Sequence, residues 1–202
     1  MDIKKKGKLF INFTIKRIIE IFGVIIFGAG ILLAASLISY SPDDPNFVFP
    51  DNTKINNILG FQGAVISDLF FQSIGLVSYL FSLTLIITGV NIFRSKDFFL
   101  IIENIFFTII YSLIGSFFLE YFYSNSFTLY INGNGGFIGY YLKQTFLTSL
   151  VQINETIFYY VLIILNLTFF LVSINFHPLR FYETIKKILG LFVSVSEKSY
   201  TN

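Results

Sequence analysis

Ile21-Phe22-Gly23-Val24-Ile25-Ile26-Phe27-Gly28-Ala29-Gly30-Ile31-Leu32-Leu33-Ala34-Ala35-Ser36-Leu37-Ile38-Ser39 holds no charged residue over 19 positions. At about 1.5 Å per residue, a helix of this length crosses the roughly 30 Å hydrocarbon core of a bilayer. Three comparable runs follow at 74–93, 98–119 and 157–176. The chain is 54% hydrophobic and 13% charged, about half the charge of a soluble domain, which excludes a water-soluble globule. Barrel strands alternate and run about 10 residues, so these uninterrupted lengths also exclude a β-barrel. The expected fold is an all-α membrane protein with four transmembrane helices.

Orientation follows from where Lys and Arg fall in the short flanks. Lys4, Lys5, Lys6, Lys8, Lys16 and Arg17 precede the first run. Arg94 and Lys96 lie between the second and third, and Arg180, Lys186, Lys187 and Lys198 follow the fourth. The two long connections, 40–73 and 120–156, hold only Lys54 and Lys143. Both termini are therefore expected in the cytoplasm, with a basic N-terminus at 1–18, a four-span domain at 19–176 and a juxtamembrane tail at 177–202. The first run is too long for a signal-peptide core, and three spans follow it, so an uncleaved signal-anchor fits better than a cleaved leader. The tail mixes Arg180, Lys186 and Lys187 with Phe181, Ile185 and Ile188, a composition suited to lying along anionic lipid.

The extracytoplasmic connections carry the distinctive residues. The first opens with Tyr40-Ser41-Pro42-Asp43-Asp44-Pro45, where prolines lacking N–H donors and short polar side chains stop the helix and start a turn. Ser67, Asp68 and Gln72 then share one side of a stretch from Gly63 to Gly75, which predicts an amphipathic helix feeding the second span. In the second connection Gly133-Asn134-Gly135-Gly136 leads into two stripes spaced by four, Ile138/Leu142/Phe146/Leu150 and Tyr140/Gln144/Thr148/Gln152. These predict a second amphipathic helix. Gly63/Leu69 and Gly136/Leu142 are 73 residues apart, a spacing that fits a weak internal duplication or a coincidence between two similar hairpins, since the register breaks down within the following spans. Inside the spans, the pair Gly30 and Ala34, and Ser112 and Ser116 with Gly115 beside them, allow close helix packing. Glu103 lies about one turn inside the third span, within reach of the headgroups or of Arg94.

Much chemistry lacks its parts. There is no cysteine and only one histidine, His177, which with Pro178 marks the end of the fourth span. The one Gly-Lys pair, Gly7-Lys8, has neither the upstream glycine nor the hydroxyl residue of a phosphate-binding loop, and Gly133 to Gly139 fails the dinucleotide spacing. No catalytic residue, cofactor site or metal site is expected.

The residues do resemble the N-terminal four-span membrane domain of the FtsK/SpoIIIE DNA translocases, over about residues 18–176. Leu37-Ile38-Ser39-Tyr40-Ser41-Pro42-Asp43-Asp44-Pro45 leaving the first span carries the resemblance, with Gly63-Ala64 through Ser67-Asp68-Leu69-Phe70-Phe71-Gln72 to Gly75, and Gly135-Gly136-Phe137-Ile138-Gly139. It implies a bacterial inner-membrane anchor that gathers into hexamers at the division septum and contacts division-site membrane proteins. In the family such an anchor holds a cytoplasmic ATPase that pumps DNA. Tyr40, Pro42, Asp43, Pro45, Gly63, Asp68, Gln72, Gly75, Gly135, Gly136 and Gly139 are the candidate assembly residues. This chain ends 26 residues after the fourth span with no phosphate-binding loop and has Asn46-Phe47 where an aromatic often follows the Asp-Pro. The resemblance thus carries anchoring and scaffolding in division and chromosome segregation, in contact with membrane lipid. It does not carry DNA or nucleotide binding by these residues, and the motor is expected on a separate chain or a longer product. A small transporter or channel is the alternative, and only Glu103 offers it a carboxylate within a span.

Overall fold

The computed structural model describes residues 3–45, 54–124, 133–178 and 186. Among them the regular structure is helical and no strand occurs. The order is α1 (Ile3–Ile38), α2 (Gly60–Ile74), a 3-10 turn (Gly75–Val77), α3 (Ser78–Ser95), α4 (Phe99–Tyr123), α5 (Gly136–Lys143), α6 (Phe146–Ile153) and α7 (Glu155–Ser173). Among the described residues four segments are long and apolar enough to cross a bilayer: Leu9–Ile38, Gly60–Ser95, Phe99–Tyr123 and Glu155–Ser173. The chain is a multi-pass membrane protein.

Helix boundaries depart from the apolar runs for local reasons. α1 starts at Ile3 rather than near residue 21 and is 36 residues long, about 54 Å at 1.5 Å per residue. Its basic first turns contain no proline, and nothing in them stops the helix. α2 runs directly into the 3-10 turn and α3, so the amphipathic segment and the second span form one bent rod. The stripes spaced by four do not share one helix. Each such step advances about 40° around a helix of 3.6 residues per turn, and the segment breaks at Gln144 and Thr145. There Thr145 caps α6 by accepting from the Leu147 N–H at 3.3 Å.

The spans pack as two pairs, α1 along α3 and α4 along α7, with α3 and α4 joined by the turn at 96–98. Glycines set the first pairing. A Cβ on Gly89 would stand 2.5 Å from the Phe27 nitrogen and 2.7 Å from the Gly23 carbonyl oxygen, and one on Gly30 would stand 2.7 Å from the Ile86 nitrogen. In lipid, where apolar burial gives helices no drive to associate, backbone approach of this kind supplies the attraction. The seam therefore uses Gly23, Gly30 and Gly89, with Ala34 only half-buried beside it. Gly115 has the anticipated packing role: a Cβ there would lie 2.6 Å from Asn166 Nδ2 of α7.

Side-chain amides tie the pairs together. Asn104, 2% exposed, donates to Thr88 Oγ1 at 2.9 Å and accepts from Asn175 Nδ2 at 2.6 Å, linking α3, α4 and the end of α7. Asn91 Nδ2 reaches the Ile174 carbonyl at 2.9 Å, and Asn166 Nδ2 reaches the Tyr111 carbonyl at 2.8 Å. Each amide is satisfied by a partner on another element, as a polar group inside a membrane bundle requires. The neighbouring Glu103 is exposed and forms no ion pair with Arg94. At the turn end of the bundle Glu20 pairs with Arg17 at 2.5 Å and Lys96 at 2.7 Å, fixing α1 beside the α3–α4 turn.

Candidate functional site

The end of the bundle that carries the two long connections is built from two junctions. An apolar cluster of Leu33, Leu37 and Phe71, flanked by Tyr40, Phe70, Leu76, Phe81 and Leu85, packs beneath the first. The chain leaving α1 turns at Ser41–Asp44, where the Asp44 N–H meets the Ser41 carbonyl at 3.2 Å. Asp44 is buried, and its two carboxylate oxygens accept from the backbone N–H groups of Asn56 (2.7 Å) and Asn57 (2.9 Å). One carboxylate thus clasps both ends of the first connection through charge-assisted bonds.

Asn57 sits at the centre of this junction. Its Nδ2 donates to the Ser36 carbonyl at 2.9 Å, and its Oδ1 accepts from the Leu59 N–H at 3.1 Å. Ser36 and Ser67 hydroxyls both donate to the Gly63 carbonyl, at 2.6 and 2.8 Å. A Cβ on Gly63 would collide with the Asn57 amide, so this position is a small-residue seat between α1 and α2. On the same shelf the Tyr40 hydroxyl and Gln72 Nε2 both bond Asp68 Oδ1, at 3.3 and 3.4 Å, and Tyr40 packs on Phe71 with ring centroids 4.8 Å apart.

Burial, and after it the negative charge of Asp68, pushes the Tyr40 phenol up from 10.0 to about 12. The fold accepts the neutral phenol, so the contribution of Tyr40 is complete below pH 10. It is lost as pH climbs from 10 toward 12, because the unfolded chain releases this proton first. Thermal stability of the wild type in detergent is expected to fall more steeply between pH 10 and 12 than that of Tyr40→Phe. Parallel curves for the two would show that Tyr40 is not held in this way.

The second junction joins the two connections to each other. Gly75 (φ +63°), after α2, and Gly136 (φ +65°), at the start of α5, lie backbone to backbone. A Cβ on Gly136 would stand 2.6 Å from the Gly75 nitrogen, and one on Gly75 would collide with the Asn134 carbonyl. That carbonyl accepts the Leu76 N–H at 3.0 Å, while Asn134 Nδ2 donates to the Tyr123 carbonyl. Ser116 of α4 donates to the Ile74 carbonyl at 3.0 Å, and its own carbonyl is covered by Gly135 and Gly139. Lys143 closes the side, its Nζ 3.1 Å from the Glu120 carbonyl and 3.7 Å from Glu120 Oε1. Glu120 Oε2 and Asn134 Oδ1 are buried here without hydrogen-bond partners among the described residues.

The candidate residues separate by exposure. Pro42 and Asp43 are exposed, Tyr40, Asp68 and Gln72 are half-buried in one polar group, and Pro45 is buried beside Asp44. Gly63, Gly75, Gly135, Gly136 and Gly139 are buried against their own chain. Within one chain these five glycines shape the junctions. Of the helix-packing set, Ser116 makes the bond to Ile74, whereas Ser112 is buried with its hydroxyl unpartnered among the described residues. Asp44, Ser36, Asn57, Asn134 and Glu120 hold the junctions and were not singled out from sequence. α2 and α5 each open on a left-handed glycine, Gly60 (φ +66°) and Gly136, which are not 73 residues apart. Asn46-Phe47 and the tail beyond residue 178, except exposed Lys186, lie outside the described residues.

Residues 15–186 match the family described as the 4TM region of DNA translocase FtsK/SpoIIIE. The chain is 28% identical over 98 residues to the DNA translocase FtsK of Rhizobium meliloti (strain 1021), covering 48% of this chain and 11% of that protein. It is 33% identical over 67 residues to the FtsK of Rickettsia bellii (strain RML369-C), covering 33% and 9% respectively. Against the FtsK of Mesorhizobium japonicum (strain LMG 29417 / CECT 9101 / MAFF 303099) it is 35% identical over 74 residues, covering 34% and 8%. The matched segments thus amount to about a tenth of the relatives' length. No solved structure matches the chain. With its four apolar helices and a match that takes in all four, the chain belongs to the family of the 4TM region of DNA translocase FtsK/SpoIIIE.

Proposed function

We propose that this chain is an inner-membrane anchor and scaffold acting in cell division and chromosome segregation, with both termini in the cytoplasm. The match of residues 15–186 to the membrane region of the translocase family carries this reading. In it the chain assembles with copies of itself, as a hexamer by resemblance, and with other membrane proteins at the septum. A DNA-pumping ATPase works from the cytoplasmic side, and these residues contribute position rather than catalysis. Among the candidate assembly residues, exposed Pro42 and Asp43 at the turn after α1 are the ones free to meet a partner.

A fluorescent fusion of the full chain is expected to concentrate at the division site. Asp43→Ala is expected to weaken that recruitment severalfold while leaving thermal stability within about 0.5 kcal/mol, the usual range for an exposed side chain. Uniform labelling of the membrane by the unsubstituted fusion would contradict the proposal.

A further inference from the structure

At the turn end of the bundle, Arg17, Glu20, Ile21, Val24 and Ile25 form one stripe along α1 and, with Phe93 of α3, line a cavity of about 290 Å³. Its two ends differ in chemistry. One is the ion cluster of Arg17, Glu20 and Lys96; the other is wholly apolar, Ile21 to Ile25 with Phe93, and completes a groove roughly 12 Å long along α1 from Arg17 to Ile25 at 1.5 Å per residue. Ile21, Val24, Ile25 and Phe93 are all exposed, so the groove opens sideways to whatever surrounds the helices. A phospholipid has the same division along its length, a charged head above an acyl chain.

The charge selects the head. Glu20 is one carboxylate shared by two cations, Arg17 at 2.5 Å and Lys96 at 2.7 Å. The cluster keeps a net positive charge, and Lys16 and Arg94 stand exposed at the same end. A guanidinium has five N–H donors and an ammonium three, so both cations retain donors after serving Glu20. Their side chains are 57% and 38% exposed and open to a ligand. Asp97 also faces this end, with one oxygen accepting the Phe99 N–H at 2.9 Å. Glu103 lies a turn farther along α4, and the cations still outnumber the carboxylates.

We propose that this groove is a binding site for one anionic phospholipid, its phosphate on Arg17 and Lys96 and an acyl chain along Ile21, Val24, Ile25 and Phe93. The proposal requires only the membrane location already established and not the division-site role. Native mass spectrometry of the full chain, with equal amounts of phosphatidylglycerol and phosphatidylcholine of the same chain length, reads the preference directly. Retention of phosphatidylglycerol is expected to exceed that of phosphatidylcholine by about fivefold or more. Arg17→Gln and Lys96→Gln are each expected to cut it about fivefold, in line with the contribution of one basic residue near an anionic lipid. Lys96→Arg should retain it. Val24→Trp fills the groove from an exposed position without touching the charges, and is expected to abolish the bound lipid while the protein stays folded. Equal retention of the two lipids by the wild type, or undiminished phosphatidylglycerol on Val24→Trp, would overturn the proposal.

Discussion

Gly136→Ala is expected to destabilise the loop end of the bundle by about 3 kcal/mol or more, combining left-handed backbone strain with overpacking. At φ +65° an alanine is strained in itself, and its Cβ would stand 2.6 Å from the Gly75 nitrogen and 2.7 Å from those of Ile74 and the Ser73 carbonyl carbon. All are backbone atoms at the end of α2 and the start of the turn that follows it, and no side-chain rotation relieves the contact. Gly60→Ala separates the two causes. Gly60 has φ +66° but no described atom within 4 Å of its Cβ position, so it should lose only about 1 kcal/mol, the cost of the backbone alone. Thermal unfolding of the detergent-solubilised chain, followed by circular dichroism, measures both. Equal losses at the two positions would show that the contact between the two connections is not what holds this end together.

Gly89→Leu is expected to be comparably severe, about 3 kcal/mol, through the other half of the bundle. Its Cβ would meet the Phe27 nitrogen at 2.5 Å and the Gly23 carbonyl oxygen at 2.7 Å, and the larger side chain pries α1 from α3 along their glycine seam. Gly28→Leu is the control on the same pair of helices. No described atom lies within 4 Å of a Cβ at Gly28, and leucine is the better helix former, so that variant should match or exceed the wild type. A protease-resistance assay in micelles reports the separation: Gly89→Leu should release α1 early, and Gly28→Leu should not. Equal resistance of the two variants would mean that the seam does not carry the pairing.

The spans were legible because a bilayer imposes length and apolarity that charge-free runs display directly. The extension of α1 to Ile3 was not, since an ordinary helical continuation leaves no mark when neither proline nor charge-free composition delimits it. Gly75 and Gly136 stood out as glycines beside predicted helices, but contact between residues 61 positions apart is a property of the folded chain. Asp43 and Asp44 are indistinguishable as neighbours in sequence, yet the turn exposes the first and aims the second at the N–H groups of Asn56 and Asn57. The same holds for Glu103 and Asn104, where the charge drew attention and the buried amide bridges α3, α4 and α7. Asn57 and Asn134 lie in the long connections, where Asn is common in turns and carries no mark of its own. Their burial depends on which carbonyls of distant segments converge on them.

An anchor for a cytoplasmic machine has to present its termini, and the short α3–α4 turn with them, to the cytoplasm. The chain has no native cysteine, so single substitutions report their side of the membrane without background. Lys54→Cys, exposed in the first long connection, and Arg94→Cys, exposed at the end of α3, mark the two ends of the bundle. With a membrane-impermeant maleimide on intact spheroplasts, Lys54→Cys is expected to label at once and Arg94→Cys only after permeabilisation. Labelling of Arg94→Cys in intact spheroplasts with Lys54→Cys protected would place the junctions on the cytoplasmic face and contradict the anchor.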